Sequence, residues 1–94
     1  MKFIIKNDRE NPLALMRRIG YAPHHKSQSF IRRLTHDEFP RFHVYMEDTG
    51  SGWEVNLHLD QKGVCYDDQT AHSGDYEGRV LEEEKQRIIV QLSN

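Results

Sequence analysis

Two segments of the chain alternate apolar and polar residues, and a short glycine turn joins them. Phe42, Val44 and Met46 alternate with Arg41, His43, Tyr45 and Glu47. Trp53, Val55, Leu57 and Leu59 alternate with Glu54, Asn56, His58 and Asp60. Successive side chains on a strand point to opposite faces, so each segment is a strand with one apolar face. Between them lies Thr49-Gly50-Ser51-Gly52, where Gly50-Ser51 suits a two-residue hairpin turn with glycine first. Pairing Thr49 with Gly52 sets Phe42 opposite Leu59, Val44 opposite Leu57 and Met46 opposite Val55. A slip of one residue would turn the apolar set of one strand away from that of the other, so a buried face selects this register. The polar face then pairs Arg41 with Asp60, His43 with His58, Tyr45 with Asn56 and Glu47 with Glu54.

The other elements follow from local signals. Phe3, Ile4 and Ile5 read as a short edge strand. Asn11-Pro12 reads as an N-cap followed by the first helical position. Leu15, Met16 and Ile19 share a helical face, Gly20 stops the helix, and Tyr21 folds back on its last turn, which predicts a helix over 12–19. Ser27 to Leu34 reads as a strand with Phe30 and Leu34 on one face, shared with Arg32. Gln61 to Tyr76 reads as a long polar loop. Leu81, Ile88, Ile89 and Leu92 lie near one helical face, with the Lys85 stem along it and Glu83 paired to Arg87 at i,i+4. Residues 88–92 also fit a strand, so that end stays open. The prediction is a single α+β domain over 1–94: an antiparallel sheet of three to four strands, two helices on one face, in the order β-α-β-β-β-α.

Composition bounds the function. Ninety-four residues with a net charge of −2 exclude a multidomain enzyme and a uniformly basic nucleic-acid binder. The lone Cys65 cannot close an internal disulfide, and the Phe3–Ile5 run is too short for a signal peptide or a membrane span. A cytoplasmic protein without membrane contact is expected. The charge is unevenly spread. Residues 1–47 carry +4 and residues 48–94 carry −6. The basic half either meets RNA or another anionic partner, or pairs with the acidic half, within one fold or across a homodimer.

The polar face of the hairpin holds the best candidates for chemistry. Histidines directly opposite each other divide acid and base roles near neutral pH. His43 and His58 are the candidate catalytic pair for metal-free RNA cleavage, with Arg41, Tyr45, Asn56 and Asp60 around them to bind substrate. Arg17 and Arg18 at the end of the first helix, with Arg33, extend the candidate RNA contacts. Arg32, Lys26, His24 and His25, interleaved with Tyr21, Phe30 and Tyr45, add to that surface. No cofactor is needed in this reading. In the alternative, His43, His58, Asp60 and His72 ligate zinc or another divalent metal, in a non-catalytic metal-binding or protein-interaction module. His72-Ser73-Gly74-Asp75 reads as a turn with Ser73 or Asp75 capping the second helix. Cys65 reads as a packing residue, with a nucleophile near His58 as the other option, and Trp53 as core.

Leu15-Met16-Arg17-Arg18-Ile19-Gly20-Tyr21, then a strand, then a hairpin entered through His43 and left through His58, resembles small RNA-cleaving toxins of the HicA type. The resemblance covers about residues 11–60. It implies a double-stranded-RNA-binding-like fold of order α-β-β-β-α and an active histidine at His43. Pro40-Arg41-Phe42-His43 stands where that family has Gly-Ser-His. The runs Asn56–Lys62 and Ala71–Gly74 are also similar to small uncharacterised bacterial proteins, which implies no function.

Overall fold

The computed structural model describes residues 1–6, 10–61 and 70–92, with the backbone alone for residues 26, 27 and 70–75. The elements run β1 (Lys2–Ile5), α1 (Pro12–Arg18), β2 (Ala22–His24), β3 (Lys26–Arg33), β4 (Arg41–Asp48), β5 (Trp53–Asp60) and α2 (Thr70–Leu92). The strands form one five-stranded antiparallel sheet in the order β1-β5-β4-β3-β2. This is the α+β class expected, with one strand more.

The hairpin has the predicted register. His43 pairs with His58, Arg41 with Asp60 and Asp48 with Trp53. Gly50 has φ +92, the left-handed value that its place in the turn demands. Thr49 N–H donates to the Gly52 carbonyl at 3.0 Å. β1 lies at the sheet edge as expected, paired with β5 from Ile5–Trp53 to Lys2–Asn56.

Both helices cover the same face. Leu15, Met16 and Ile19 from α1 and Ile88 and Leu92 from α2 are buried against Phe3, Ile5, Phe30, Phe42, Val44, Met46, Val55 and Leu57. Trp53 and Leu59 pack at the margin of this core. The Asn11 side chain caps α1 by accepting from Ala14 N–H at 2.8 Å. Gly20 has φ +96, and Tyr21 N–H returns to the Met16 carbonyl at 2.9 Å, closing the helix as its glycine predicted.

Three expectations need correction, and the open reading of residues 88–92 is decided. β2 was not expected, because Ala22-Pro23-His24 carries no alternation and is a strand only through pairing with β3. α2 begins at Thr70, so residues 70–76 of the expected loop are helical and Ser73 and Asp75 lie inside the helix rather than capping it. Residues 62–69 lie outside the described residues. Residues 88–92 are helix, since Ile88 and Leu92 are buried while Val90 is 65% exposed, the pattern of period 3.6 rather than 2. Finally, Arg87 bonds Glu84 rather than Glu83.

That last pair belongs to a buried polar knot. Glu84, 4% exposed, accepts from the Tyr21 hydroxyl at 2.7 Å and from Arg87 Nε and Nη2 at 2.8 Å each. Arg87 also donates to the Ile19 carbonyl at 2.9 Å, and Arg32 reaches Glu84 at 3.5 Å. The end of α1, β3 and α2 are thereby tied through one carboxylate. Burial, then the Glu84 charge, push the Tyr21 phenol well above its ordinary range. The hydrogen bonds to Glu84 hold the Arg87 guanidinium more firmly protonated.

Candidate functional site

Among the described residues both helices take one face of the sheet, and no helix covers the other. The alternation that buries Phe42 and Leu57 puts Ser29, Ile31 and Arg33 of β3, Arg41, His43, Tyr45 and Glu47 of β4, Glu54, Asn56, His58 and Asp60 of β5, and Lys2 of β1 on that face. Charge is graded along it: Arg33 and Arg41 stand at one end, and Glu47 and Glu54 at the other.

His43 sits at the centre, and its ring is fixed at both nitrogens. Nδ1 lies 2.9 Å from Asp60 Oδ2, and Nε2 lies 2.8 Å from Ser29 Oγ. A carboxylate accepts only, so in the neutral ring Nδ1 carries the hydrogen and Nε2 accepts from the serine hydroxyl. His43 is 9% exposed and Ser29 3%. The Tyr45 ring stacks on His43 at 4.6 Å and meets His58 edge-on at 5.8 Å. On the other side His24 stands edge-on to His43 at 5.1 Å, with His25 next to it at 4.1 Å.

β1 pairs along its whole length with only the first half of β5, Trp53–Asn56, and the last β1-side contacts are those of Met1 with Leu57. Beyond them α2 approaches β5, where Gln61 Nε2 donates to Glu77 at 2.7 Å. A cleft of about 380 Å³ opens there, lined on its polar side by His43, Tyr45, His58, Asp60 and Glu77. His58 is exposed at the cleft. Desolvation against the cleft wall, and next the Met1 ammonium, hold its pKa below the ordinary histidine value, with Asp60 opposing and His43 assisting. His24 is lowered too, by desolvation first, then by His25, Arg41 and His43.

The expected site residues divide into two groups. His43, His58, Tyr45 and Asp60 line one cleft, with Asn56 beside Tyr45 and Arg33 beside Arg41 on the same face. Arg41 is 8% exposed and already engaged: Nε meets Asp60 at 3.3 Å, an Nη meets Glu38 at 3.8 Å, and the guanidinium lies 4.5 Å from the Phe39 ring centroid. Arg17 and Arg18 belong to α1, on the helical side of the sheet, so they share no surface with the histidines, and Arg18 bonds Glu10 at 2.8 Å. Tyr21 and Phe30 are core residues, not surface aromatics. Arg32 turns to Glu84 on the helical side. The opposite halves of the chain meet in Arg32–Glu84 and Arg41–Asp60, which uses part of the charge asymmetry inside the fold.

The side chain of His72 and the whole of Cys65 lie outside the described residues. Among the described residues no group of three or more His, Cys, Asp or Glu side chains is arranged to hold a metal ion. No described helix is long and apolar enough to cross a membrane. Sequence reasoning missed Ser29. Its only signal is the parity of β3: once Phe30 faces the core, Ser29 must face the histidines.

No family model, curated protein or solved structure matches this chain. What the molecule itself defines is an α+β domain with both helices on one face of the sheet and a histidine-lined cleft at the β5 edge, where α2 supplies one wall.

Proposed function

We propose that the open sheet face binds single-stranded RNA and that the cleft cleaves it without a metal. The observation that carries this reading is the cross-strand His43–His58 pair in one cleft, with His43 oriented by Asp60. The 45%-exposed Tyr45 between them offers a platform on which a base stacks. Arg33 is an exposed cation at the basic end of this face and receives a backbone phosphate there.

The depressed pKa of His58 leaves its ring neutral at pH 7, ready to take a proton from a 2′-hydroxyl. The 2′-oxygen then attacks phosphorus. The bond to the 5′-oxygen breaks, and His43 in its protonated form supplies the proton to that leaving oxygen from Nε2. The products are a 2′,3′-cyclic phosphate and a 5′-hydroxyl. Asp60 holds Nδ1 throughout, so Nε2 is the atom that exchanges the proton, with the substrate oxygen taking the place of Ser29.

The test is cleavage of a short single-stranded RNA in excess chelator. Cleavage is expected to leave cyclic-phosphate ends, and to fall about 10²-fold or more in His58→Ala and in His43→Ala. Absence of any salt-dependent RNA affinity overturns the reading. Stoichiometric zinc uptake abolished by His58→Ala supports a metal site in its place.

A further inference from the structure

The bonds around His43 form a chain of which RNA cleavage uses only the Asp60 side, leaving the Ser29 hydroxyl without a role. Ser29 Oγ, His43 Nε2, His43 Nδ1 and Asp60 Oδ2 are linked in order, at 2.8 Å and 2.9 Å. A hydroxyl on one imidazole nitrogen and a carboxylate on the other is the arrangement that activates a serine nucleophile. It is recognised by geometry, whatever the order of the residues in the chain. The three come from three adjacent strands, β3, β4 and β5.

We infer that Ser29 is the nucleophile of an acyl-transfer site that accepts small carboxylic esters. The inference goes beyond RNA cleavage, because it needs Ser29, His43 and Asp60 and makes no use of His58 or of RNA. Oγ adds to the ester carbonyl carbon as its proton moves to His43 Nε2. The carbon–oxygen bond to the alcohol then breaks, and His43 returns the proton to the departing alkoxide. Water attacks the acyl-serine in the same way, giving its proton to His43. The carboxylic acid leaves, and Ser29 recovers its hydrogen. Asp60 keeps the imidazole in the tautomer that accepts at Nε2.

Access to Ser29 is the demanding step, since it is 3% exposed. Two features of the fold supply it. β2, which borders β3 on its outer side, has three residues and is a sheet edge, so few backbone bonds hold it down. Two non-glycine residues near Ser29 also lie in the left-handed region, His25 with φ 52 in the β2–β3 turn and Gln28 with φ 64 within β3, directly before Ser29. Such residues store strain that release of this segment relieves. Tyr45, the cross-strand partner of Ser29, also lines the cleft, so an ester lying in the cleft approaches Ser29 past the Tyr45 ring.

The full chain is treated with an alkyl fluorophosphonate, without RNA, and the adduct is mapped by peptide mass spectrometry. The serine oxygen forms a bond to phosphorus and fluoride leaves. One adduct is expected, on Ser29, forming at least about 10²-fold faster than on the denatured chain and slowing by a similar factor in Asp60→Asn. The wild-type rate rises as one histidine proton is lost, which tests the relay even if Asp60→Asn fails to fold. Absence of an adduct, scatter over other hydroxyls, or a rate flat across the histidine range overturns the inference. Because no RNA is present, failure here is read separately from failure of RNA cleavage.

Discussion

Removing the Glu84 carboxylate is expected to cost the domain a large part of its stability. In Glu84→Ala the Tyr21 hydroxyl loses its acceptor at 2.7 Å, and Arg87 loses two donations at 2.8 Å. Taking one partner from a buried ion pair costs about 3–5 kcal/mol, because the other charge stays desolvated. Arg87 is 31% exposed, so water recovers part of that loss and the lower end applies, about 3–4 kcal/mol. A domain of this length has roughly 5–14 kcal/mol in all. At about 4–8 °C per kcal/mol, Tm falls by roughly 12–30 °C. Urea unfolding followed by circular dichroism measures it. Glu83→Ala, an exposed position one residue away, is the control and changes stability by about 0.5 kcal/mol or less. Arg32→Ala gives about 1 kcal/mol or less, since that pair is 3.5 Å long and its guanidinium 34% exposed. Equal effects at Glu83 and Glu84, or a loss below about 1 kcal/mol at Glu84, would refute the reasoning.

Two further outcomes are expected. Gly52→Ala destabilises by about 1–3 kcal/mol in the same assay, because a Cβ there runs into the Ile5 carbonyl oxygen of β1; an effect below about 0.5 kcal/mol contradicts the β1–β5 packing. His24 and His58 have folded-state pKa values below 6.5, so the unfolded chain binds their protons first as pH falls. Their contribution is fully present above about pH 6.5 and is lost as pH falls through the lower folded values. The urea midpoint therefore drops between pH 7.5 and 5, and the drop is smaller in the double variant His24→Gln, His58→Gln; an unchanged slope counts against the shifts.

Legibility followed the range of the interactions. The Phe42–Leu59 and His43–His58 pairings were readable because a glycine turn and a period of two act within twenty residues. The α1 cap and stop were readable because Asn11, Pro12 and Gly20 act on their own backbone. β2 was not, because a three-residue edge strand with a proline is made by its neighbour rather than by its own pattern. Glu83 and Glu84 both fit a helical pairing with Arg87, and only the position of Tyr21 selects Glu84.

The same division runs through the site. The sequence alone determined that His43, His58, Tyr45 and Asp60 share a sheet face, since parity along two paired strands leaves no other arrangement. Tertiary structure alone decided that Ser29 and Asp60 hold the two sides of one imidazole, and that Arg17 and Arg18 lie on the far side of the sheet. It also decided that α2 closes one wall of the cleft with Glu77. These outcomes depend on which face the helices bury and how far β1 runs along β5. Both are settled by packing of apolar surface from distant parts of the chain, which no local pattern encodes.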